Sequence, residues 1–325
     1  MRHDRTVAKQ RDRHDDGDRH DDGDRHDDGD RHDDGDREPV GIRELLGVAP
    51  GGPVDLAAID PRSTPGLPAG RGVRAAKEWT RARVAEQAAE LAGYQERLYA
   101  SAKCGGDSRR LLVVLQAMDC GGKDGTVAHA LGAFNPQGTR VVTFGVPTSV
   151  EREHDFLWRI RRAVPEPGYV GVFNRSHYED VLVVRVHELV PRDIWTGRYD
   201  EINRFERELV DSGVTLVKIM LHISAEEQRA RLLDRLDNPA RHWKYNPGDL
   251  DERTLWAQYQ AAYAEALARC STGYAPWFVV PADRKWYRDW AVTQLLRETF
   301  AALDPVYPPA DFDVVAERRR LLNQT

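Results

Sequence analysis

Cysteine is nearly absent from the 325 residues: Cys104, Cys120 and Cys270 are the whole supply. An odd number at wide, irregular spacing fits neither a disulfide framework nor a zinc site, so reduced thiols in a cytoplasmic protein are expected. Long apolar runs are missing too. No stretch approaches the roughly 18–20 apolar residues of a membrane-crossing helix, and the N-terminus lacks the apolar core of a secretory signal. Neither is there a surplus of positive charge: 47 Lys and Arg stand against 53 Asp and Glu, a net charge of −6. A general nucleic-acid binder would show a basic excess, so no nucleic acid and no membrane is expected as a partner. A local basic channel is still compatible with a near-neutral total.

The first part of the chain has almost no apolar content: outside Met1, Val7 and Ala8, residues 1–37 carry none. Residues 13–36 read RHDDGD four times without a substitution. Residues 1–37 hold nine basic and fourteen acidic side chains, and so carry five of the six net negative charges. With nothing to bury, such a segment cannot offset the entropy of ordering, and a disordered tail is expected over 1–37. Its histidines (His14, His20, His26, His32) are possible metal ligands without a fixed geometry, so a solvated spacer is the plainer reading. Residues 38–74 are rich in Gly and Pro and read as a loosely ordered lead-in. The main domain is expected over 75–307, with a C-terminal extension over 308–325.

What is present begins with periodicity. Val84, Ala88, Leu91 and Leu98 recur at helical steps, so an amphipathic helix is expected over Ala75–Ser101. The run Leu111–Gln116 is continuously apolar, as a buried parallel strand should be. Further apolar segments at Arg140–Phe144, Tyr169–Phe173, Val214–Leu221 and Trp277–Val280 complete a set of five. Polar helical stretches lie between them, for example Arg198–Ser212 with Ile202, Phe205 and Leu209 on one face. This alternation specifies an α/β fold, a five-stranded parallel sheet between helical layers in a three-layer sandwich. Ligands in such folds sit at the carboxyl ends of the strands.

Three motifs fall there. The first runs from Ala117 to Thr126 (AMDCGGKDGT), between a strand and a helix. Gly121, Gly122, Gly125 and the neighbouring backbone of Asp124 and Thr126 can close N–H groups around phosphate oxygens, and Lys123 adds a mobile positive charge. Ala117 stands where a Walker-A loop has its first Gly, and Asp124 where Ser or Thr would hold magnesium. Asp119 is a carboxylate inside an anion loop. It makes sense if it faces magnesium or orients an attacking phosphate oxygen; the alternative is a helix cap.

The second motif, Val172–Asp180 (VFNRSHYED), ends the third strand in the layout of a Walker-B segment. Arg175 is suited to a bidentate phosphate contact, and Glu179 or Asp180 to magnesium or a nucleotide hydroxyl. His177 and His187 read as packing or polar residues. The third motif, Gln228–Arg253, carries six cations: Arg229, Arg231, Arg235, Arg241, Lys244 and Arg253. Arg231 and Arg235 share a helix face. With Asn-Pro turns and the aromatics Trp243 and Tyr245, the segment reads as a lid over an anion.

In this order the motifs resemble the polyphosphate kinase 2 family. The resemblance rests on MDCGGKDGT with NPQG (Asn135–Gly138), HDFLWRI (His154–Ile160) and FNRSHYEDVLVVRVH (Phe173–His187). It continues through the lid and APWFVVPADRKW (Ala275–Trp286), covering roughly residues 75–307. It implies a P-loop kinase-like fold with a helical lid, and phosphoryl transfer between inorganic polyphosphate and nucleoside mono- or diphosphates. AMP, ADP or both are the implied acceptors, with guanine nucleotides as further candidates. Magnesium or manganese is the implied cofactor, and a homo-oligomer the implied assembly. Carried over by position, Asp119, Lys123 and Arg175 are the catalytic candidates, and Gly121–Thr126, Arg231, Arg235 and Lys244 the polyphosphate contacts. Asn174, Tyr178, Glu179 and Asp180 are then candidates for nucleotide, with Asp119 and Asp180 for metal. Asn174 departs from the Asp of members best known for ADP, whereas the NRSHYEDV string is closer to members that also accept AMP. Cys120 stands where Ala is more usual. The rival functions are an ATP-dependent nucleotide kinase and a non-catalytic polyphosphate-binding module.

Overall fold

A computed structural model of the chain describes residues 40–324, and the RHDDGD repeats lie outside them. Strands β1 (Arg110–Ala117), β2 (Thr139–Thr143), β3 (Val170–Asn174), β4 (Val214–His222) and β5 (Trp277–Pro281) form one sheet in the order β2-β3-β1-β4-β5. Every neighbouring pair is parallel. Each strand matches its apolar run to within one residue at either end. β1, β3 and β5 are buried along almost their whole length, which is why they read as unbroken apolar runs. β2 lies at the edge and is half exposed.

The helices are α1 (Ile42–Leu46), α2 (Val73–Gly105), α3 (Lys123–Ala130), α4 (Ser149–Arg152), α5 (Trp158–Arg161) and α6 (Val183–Val186). They continue as α7 (Arg192–Asp211), α8 (Ala225–Asp237), α9 (Gly248–Thr254), α10 (Trp256–Cys270), α11 (Lys285–Leu303) and α12 (Val314–Leu322). β1 crosses through α3 toward β2, whereas β3 crosses through α7 in the opposite direction to β4. Right-handed crossovers in opposite senses place α3 on one face of the sheet and α7 on the other. α11 packs beside α2 and α3, and α10 beside α7, so three layers result. On α7, Ile202, Phe205 and Leu209 are buried as their spacing requires. Among the described residues no helix is long and apolar enough to cross a membrane.

The lead-in differs from expectation. Residues 40–72 are packed rather than loose: α1 buries Ile42 and Leu46, and Leu56 is 4% exposed. Gly47 forms an antiparallel bridge to Phe278, and the Val48 N–H donates to the Trp277 carbonyl at 2.8 Å. The segment thus covers the outer edge of β5, whose backbone groups would otherwise lack partners. Gly- and Pro-rich composition hid this, because a chain that follows a sheet edge needs no periodicity of its own. Beyond α11, residues 308–324 carry α12, which buries none of its side chains.

Beneath the exit of β3 lies an ionic cluster with no exposed atoms to speak of. Lys218 of β4 donates to Glu206 at 2.5 Å, to the Tyr178 hydroxyl at 3.0 Å and to the Cys270 carbonyl at 2.7 Å. Glu206 also accepts from the Tyr178 hydroxyl at 2.8 Å and lies 3.2 Å from the His177 ring nitrogen. Burial alone would raise the Glu206 carboxyl, but Lys218 and His177 hold it below its usual range.

Candidate active site

The carboxyl ends of β1 and β3 lie level, since Leu115 pairs with Asn174 in register. The chain leaves β1 at Ala117 and turns through Met118–Gly122 before α3 begins at Lys123. Gly122 has φ +99°, and a Cβ there would collide with the guanidinium of Arg288. Gly125 is crowded by the same group, with Nη2 of Arg288 2.9 Å from where a Cβ would sit. Arg288 is buried and bound to Asp289 at 2.6 Å. It therefore sets a fixed positive charge against the first turn of α3, whose free N–H groups already favour an anion.

Lys123 donates to the Ala117 carbonyl at 2.9 Å. Burial, reinforced by the nearby Arg175, pulls its ammonium below the usual lysine range. Across the loop mouth, Arg175 pairs with Asp119 at 2.8 Å and approaches Glu179 at 3.7 Å. Burial pushes the Glu179 carboxyl up, against the pull of Arg175 and Lys123. Asn174 donates to Asp124 at 2.9 Å and so ties β3 to the start of α3. The cleft above is lined by Asp119, Arg175, Glu179, Gln228, Tyr259 and Tyr263, and by Glu252, which accepts from the Tyr259 hydroxyl at 2.6 Å. Lys123, Asp119, Arg175, Asn174 and Glu179, read from separate motifs, are thus brought together.

Other candidates are placed differently. Tyr178 is 0% exposed and its hydroxyl is taken up by Glu206 and Lys218, so it is a core residue rather than a nucleotide contact. Asp180 faces Arg198, which binds it at 3.0 Å, and does not line the cleft; Glu179 does. Burial pushes the Asp180 carboxyl up to about 6, against the pull of Arg198 and Arg159. The one-residue step along a 3-10 turn separates the two carboxylates, and the spacing of the motif carried no sign of which points inward. Thr126 is buried and its hydroxyl donates to the Gly122 carbonyl at 3.1 Å, so it closes the first turn instead of meeting phosphate.

The lid cations divide. Arg231 donates to the carbonyls of Cys120 (2.8 Å), Ala282 (2.5 Å) and Asp283 (3.1 Å), and to Glu227 at 2.7 Å. Its guanidinium is used up inside the protein. Arg235 binds Asp249 at 3.2 Å and the Lys244 carbonyl at 3.0 Å, tying α8 to the far limb of the lid. Lys244 is exposed, with its ammonium 5.0 Å over the Trp243 ring.

Sequence reasoning missed Arg288, Gln228, Tyr259 and Tyr263. The signal for Arg288 was faint: two glycines three apart, Gly122 just before α3 and Gly125 in its first turn, leave more room than a phosphate turn alone requires. Tyr259 and Tyr263 stand four apart on α10 and share a face, a pattern legible in the sequence but lying just past the lid motif.

Two carboxylates, Asp119 and Glu179, open on the cleft beside the loop, and among the described residues no three His, Cys, Asp or Glu side chains gather into a cage. That donor set fits magnesium, which takes one or two carboxylates and fills its remaining positions with water and substrate phosphates.

The model of the family described as polyphosphate kinase 2 matches residues 74–305. The chain belongs to the polyphosphate kinase 2 family. It is thereby a kinase that transfers phosphate between polyphosphate and nucleotides. Among its relatives is the AMP/ADP-polyphosphate phosphotransferase of Meiothermus ruber, 48% identical over 80% of this chain and 94% of the relative. The ADP-polyphosphate phosphotransferase of Rhodopseudomonas palustris is 42% identical over 73% and 83%. The crystal structure of polyphosphate kinase 2 from Arthrobacter aurescens superimposes with a TM-score of 0.83 at 48% identity, covering 88% of this chain and 98% of that one. For this polyphosphate kinase 2, the P-loop kinase-like fold and the phosphotransferase reaction read from the motifs agree with the family.

Proposed function

We propose that this polyphosphate kinase 2 passes the terminal phosphoryl group of inorganic polyphosphate to AMP and to ADP, with guanine nucleotides as further acceptors, as a cytoplasmic homo-oligomer. The observation that carries the proposal is the Asp119–Arg175 pair, 2.8 Å apart across the mouth of a phosphate loop that also presents Lys123. The name of the Meiothermus relative, which joins AMP and ADP, supports the choice of acceptors.

In this reading an oxygen of the acceptor's terminal phosphate attacks the end phosphorus of the chain. The bridging P–O bond breaks, and the shortened polyphosphate leaves with the electron pair. Such a transition state spreads charge over the moving oxygens and asks the protein mainly for position and neutralisation. Lys123 supplies the mobile charge. Arg175 holds the acceptor phosphate once substrate competes for it, which leaves Asp119 free. Gly122, Asp124 and Gly125 offer backbone N–H groups, whereas the Gly121 N–H expected among them is spent on the Met118 carbonyl at 2.9 Å; Asn174 keeps Asp124 in place. Asp119 and Glu179 would hold magnesium or manganese, which would supply neutralisation of phosphate charge. Tyr259 and Tyr263 form an apolar wall on the acceptor side, and Arg235 and Lys244 meet the chain at the lid.

The test is nucleotide chromatography after incubation with magnesium and polyphosphate, separately with AMP, ADP, GMP and GDP. AMP should yield ADP and then ATP, and a chelator should stop the reaction. Transfer from ATP to AMP that is just as efficient without polyphosphate would make the enzyme an ordinary nucleotide kinase.

A further inference from the structure

Two residues at the site, Cys120 (φ +61°) and Arg175 (φ +63°), hold left-handed backbone without being glycine. That region costs an L-residue roughly 1–2 kcal/mol, so the surroundings have to impose it. For Arg175 the cause is visible in its N–H, which donates to the Leu115 carbonyl at 3.1 Å and continues the β1–β3 ladder past the strand. Cys120 is the third residue of a turn closed by the Gly121 N–H on the Met118 carbonyl at 2.9 Å, and the lid helix braces that turn from outside. Gln228 Nε2 donates to the Asp119 carbonyl at 2.9 Å, and Arg231 Nη1 to the Cys120 carbonyl at 2.8 Å. The two side chains stand three apart on α8 and so lie on one face. Both are themselves braced. Gln228 is 2% exposed and accepts from Arg253 at 2.7 Å; Arg231 is anchored by Glu227 and the Ala282 carbonyl.

The geometry points to Gln228 and Arg231 as positioning residues that draw the Asp119 and Cys120 carbonyls out of the phosphate loop. A peptide group whose carbonyl is held outward turns the N–H that follows it toward the bound anion. After Asp119 that is the Cys120 N–H, whereas after Cys120 the Gly121 N–H donates to the Met118 carbonyl at 2.9 Å and closes the turn that Arg231 braces. The same two bonds aim the Asp119 side chain across the cleft at Arg175. The root of the lid is then a backing for the loop. Polyphosphate contact belongs to the exposed end of the lid, at Lys244, and not to Arg231. This inference rests on the reaction proposed above, and it concerns how the catalytic loop is shaped.

The experiment uses the full-length Gln228→Leu and Arg231→Lys variants, each with and without Cys120→Gly, assayed for kcat and polyphosphate KM at two ionic strengths. Arg231→Lys keeps the charge and loses the fork that reaches separate carbonyls. Displacement of a reacting group by about 1 Å costs about 100-fold in rate, so kcat should fall by about 10- to 100-fold. Polyphosphate KM and its salt dependence should stay close to wild type. Glycine is at ease at φ +61°, so adding Cys120→Gly should recover about 5- to 30-fold of the lost kcat, the worth of the strain it removes. The wild-type melting curve serves as control, since a merely structural loss would lower the transition without rescue at Cys120. A variant with unchanged kcat, or with raised polyphosphate KM and a weaker salt effect, or with no recovery from Cys120→Gly, overturns the inference. A wild-type enzyme inactive with polyphosphate would instead overturn the proposed function.

Discussion

Lys123 sits where stability and function pull in opposite directions. Burial and the neighbouring Arg175 lower its folded pKa below the ordinary 10.5. Between the lowered value and 10.5 the folded state binds fewer protons than the unfolded one, so stability rises with pH there, and the cost of the charged ammonium is fully present below the window. Lys123→Met removes that charge at similar volume. Its melting temperature should therefore exceed wild type at neutral pH, and the advantage should vanish above about pH 10.5 when thermal scans are repeated across pH. The same variant should lose about 100- to 1,000-fold in kcat, the scale of one preorganised donor to a charged transition state. Tyr178 gives the opposite test. If it serves the Lys218–Glu206 cluster as the structure shows, Tyr178→Phe should cost about 1–3 kcal/mol in denaturant unfolding and leave the nucleotide KM unchanged.

At the scale of elements, the turn after β3 is held from below by charge and not by apolar packing alone. Glu206 projects from α7 and Lys218 from β4, and both are 0% exposed. Removing one partner leaves the other charge buried without compensation, so Glu206→Gln should cost about 3–5 kcal/mol. The pH dependence follows from the lowered Glu206 pKa. Its stabilisation is complete above the unfolded carboxyl value near 4.5 and is lost as pH falls through the folded value. Wild type should thus weaken steeply below about pH 4.5, and Glu206→Gln should show a flatter acid limb in the same urea series. The helical period of α7 identified Ile202, Phe205 and Leu209 as buried, but not the charged Glu206 among them. Period reports the direction of a face, and a lysine on a neighbouring strand is not a property of the helix.

At the scale of the whole molecule, the two ends of the N-terminal region should behave differently. The RHDDGD repeats have no apolar side chain, so deletion of residues 1–37 should leave melting temperature and turnover nearly unchanged; a loss of activity beyond about tenfold, or 1.4 kcal/mol of barrier, would give the tail a role in catalysis. The lead-in that follows is part of the core. Leu56→Ala should destabilise by about 2–5 kcal/mol in equilibrium unfolding, as a buried leucine does when the space cannot collapse.

The sequence by itself determined the architecture and the chemical kind of site. Continuous apolar runs mark strands covered on both faces, because burial leaves no polar alternation, and glycine with lysine after such a run marks a phosphate turn, because only small residues let the backbone approach an anion. It also placed Asp119, Lys123, Asn174 and Arg175 in motifs that the β1–β3 register then brought side by side. Tertiary structure alone decided which member of each motif faces the cleft. Glu179 and Asp180 are neighbours of like charge, and only the packing of α7 hands Asp180 to Arg198 and leaves Glu179 at the cleft. Arg231 and Lys244 are both lid cations, yet the carbonyls of Cys120, Ala282 and Asp283 consume the first and leave the second exposed. The physical reason is the same in both cases. Charge and spacing are written along the chain, but the partner that satisfies a charged group comes from an element that the chain reaches only after it has folded.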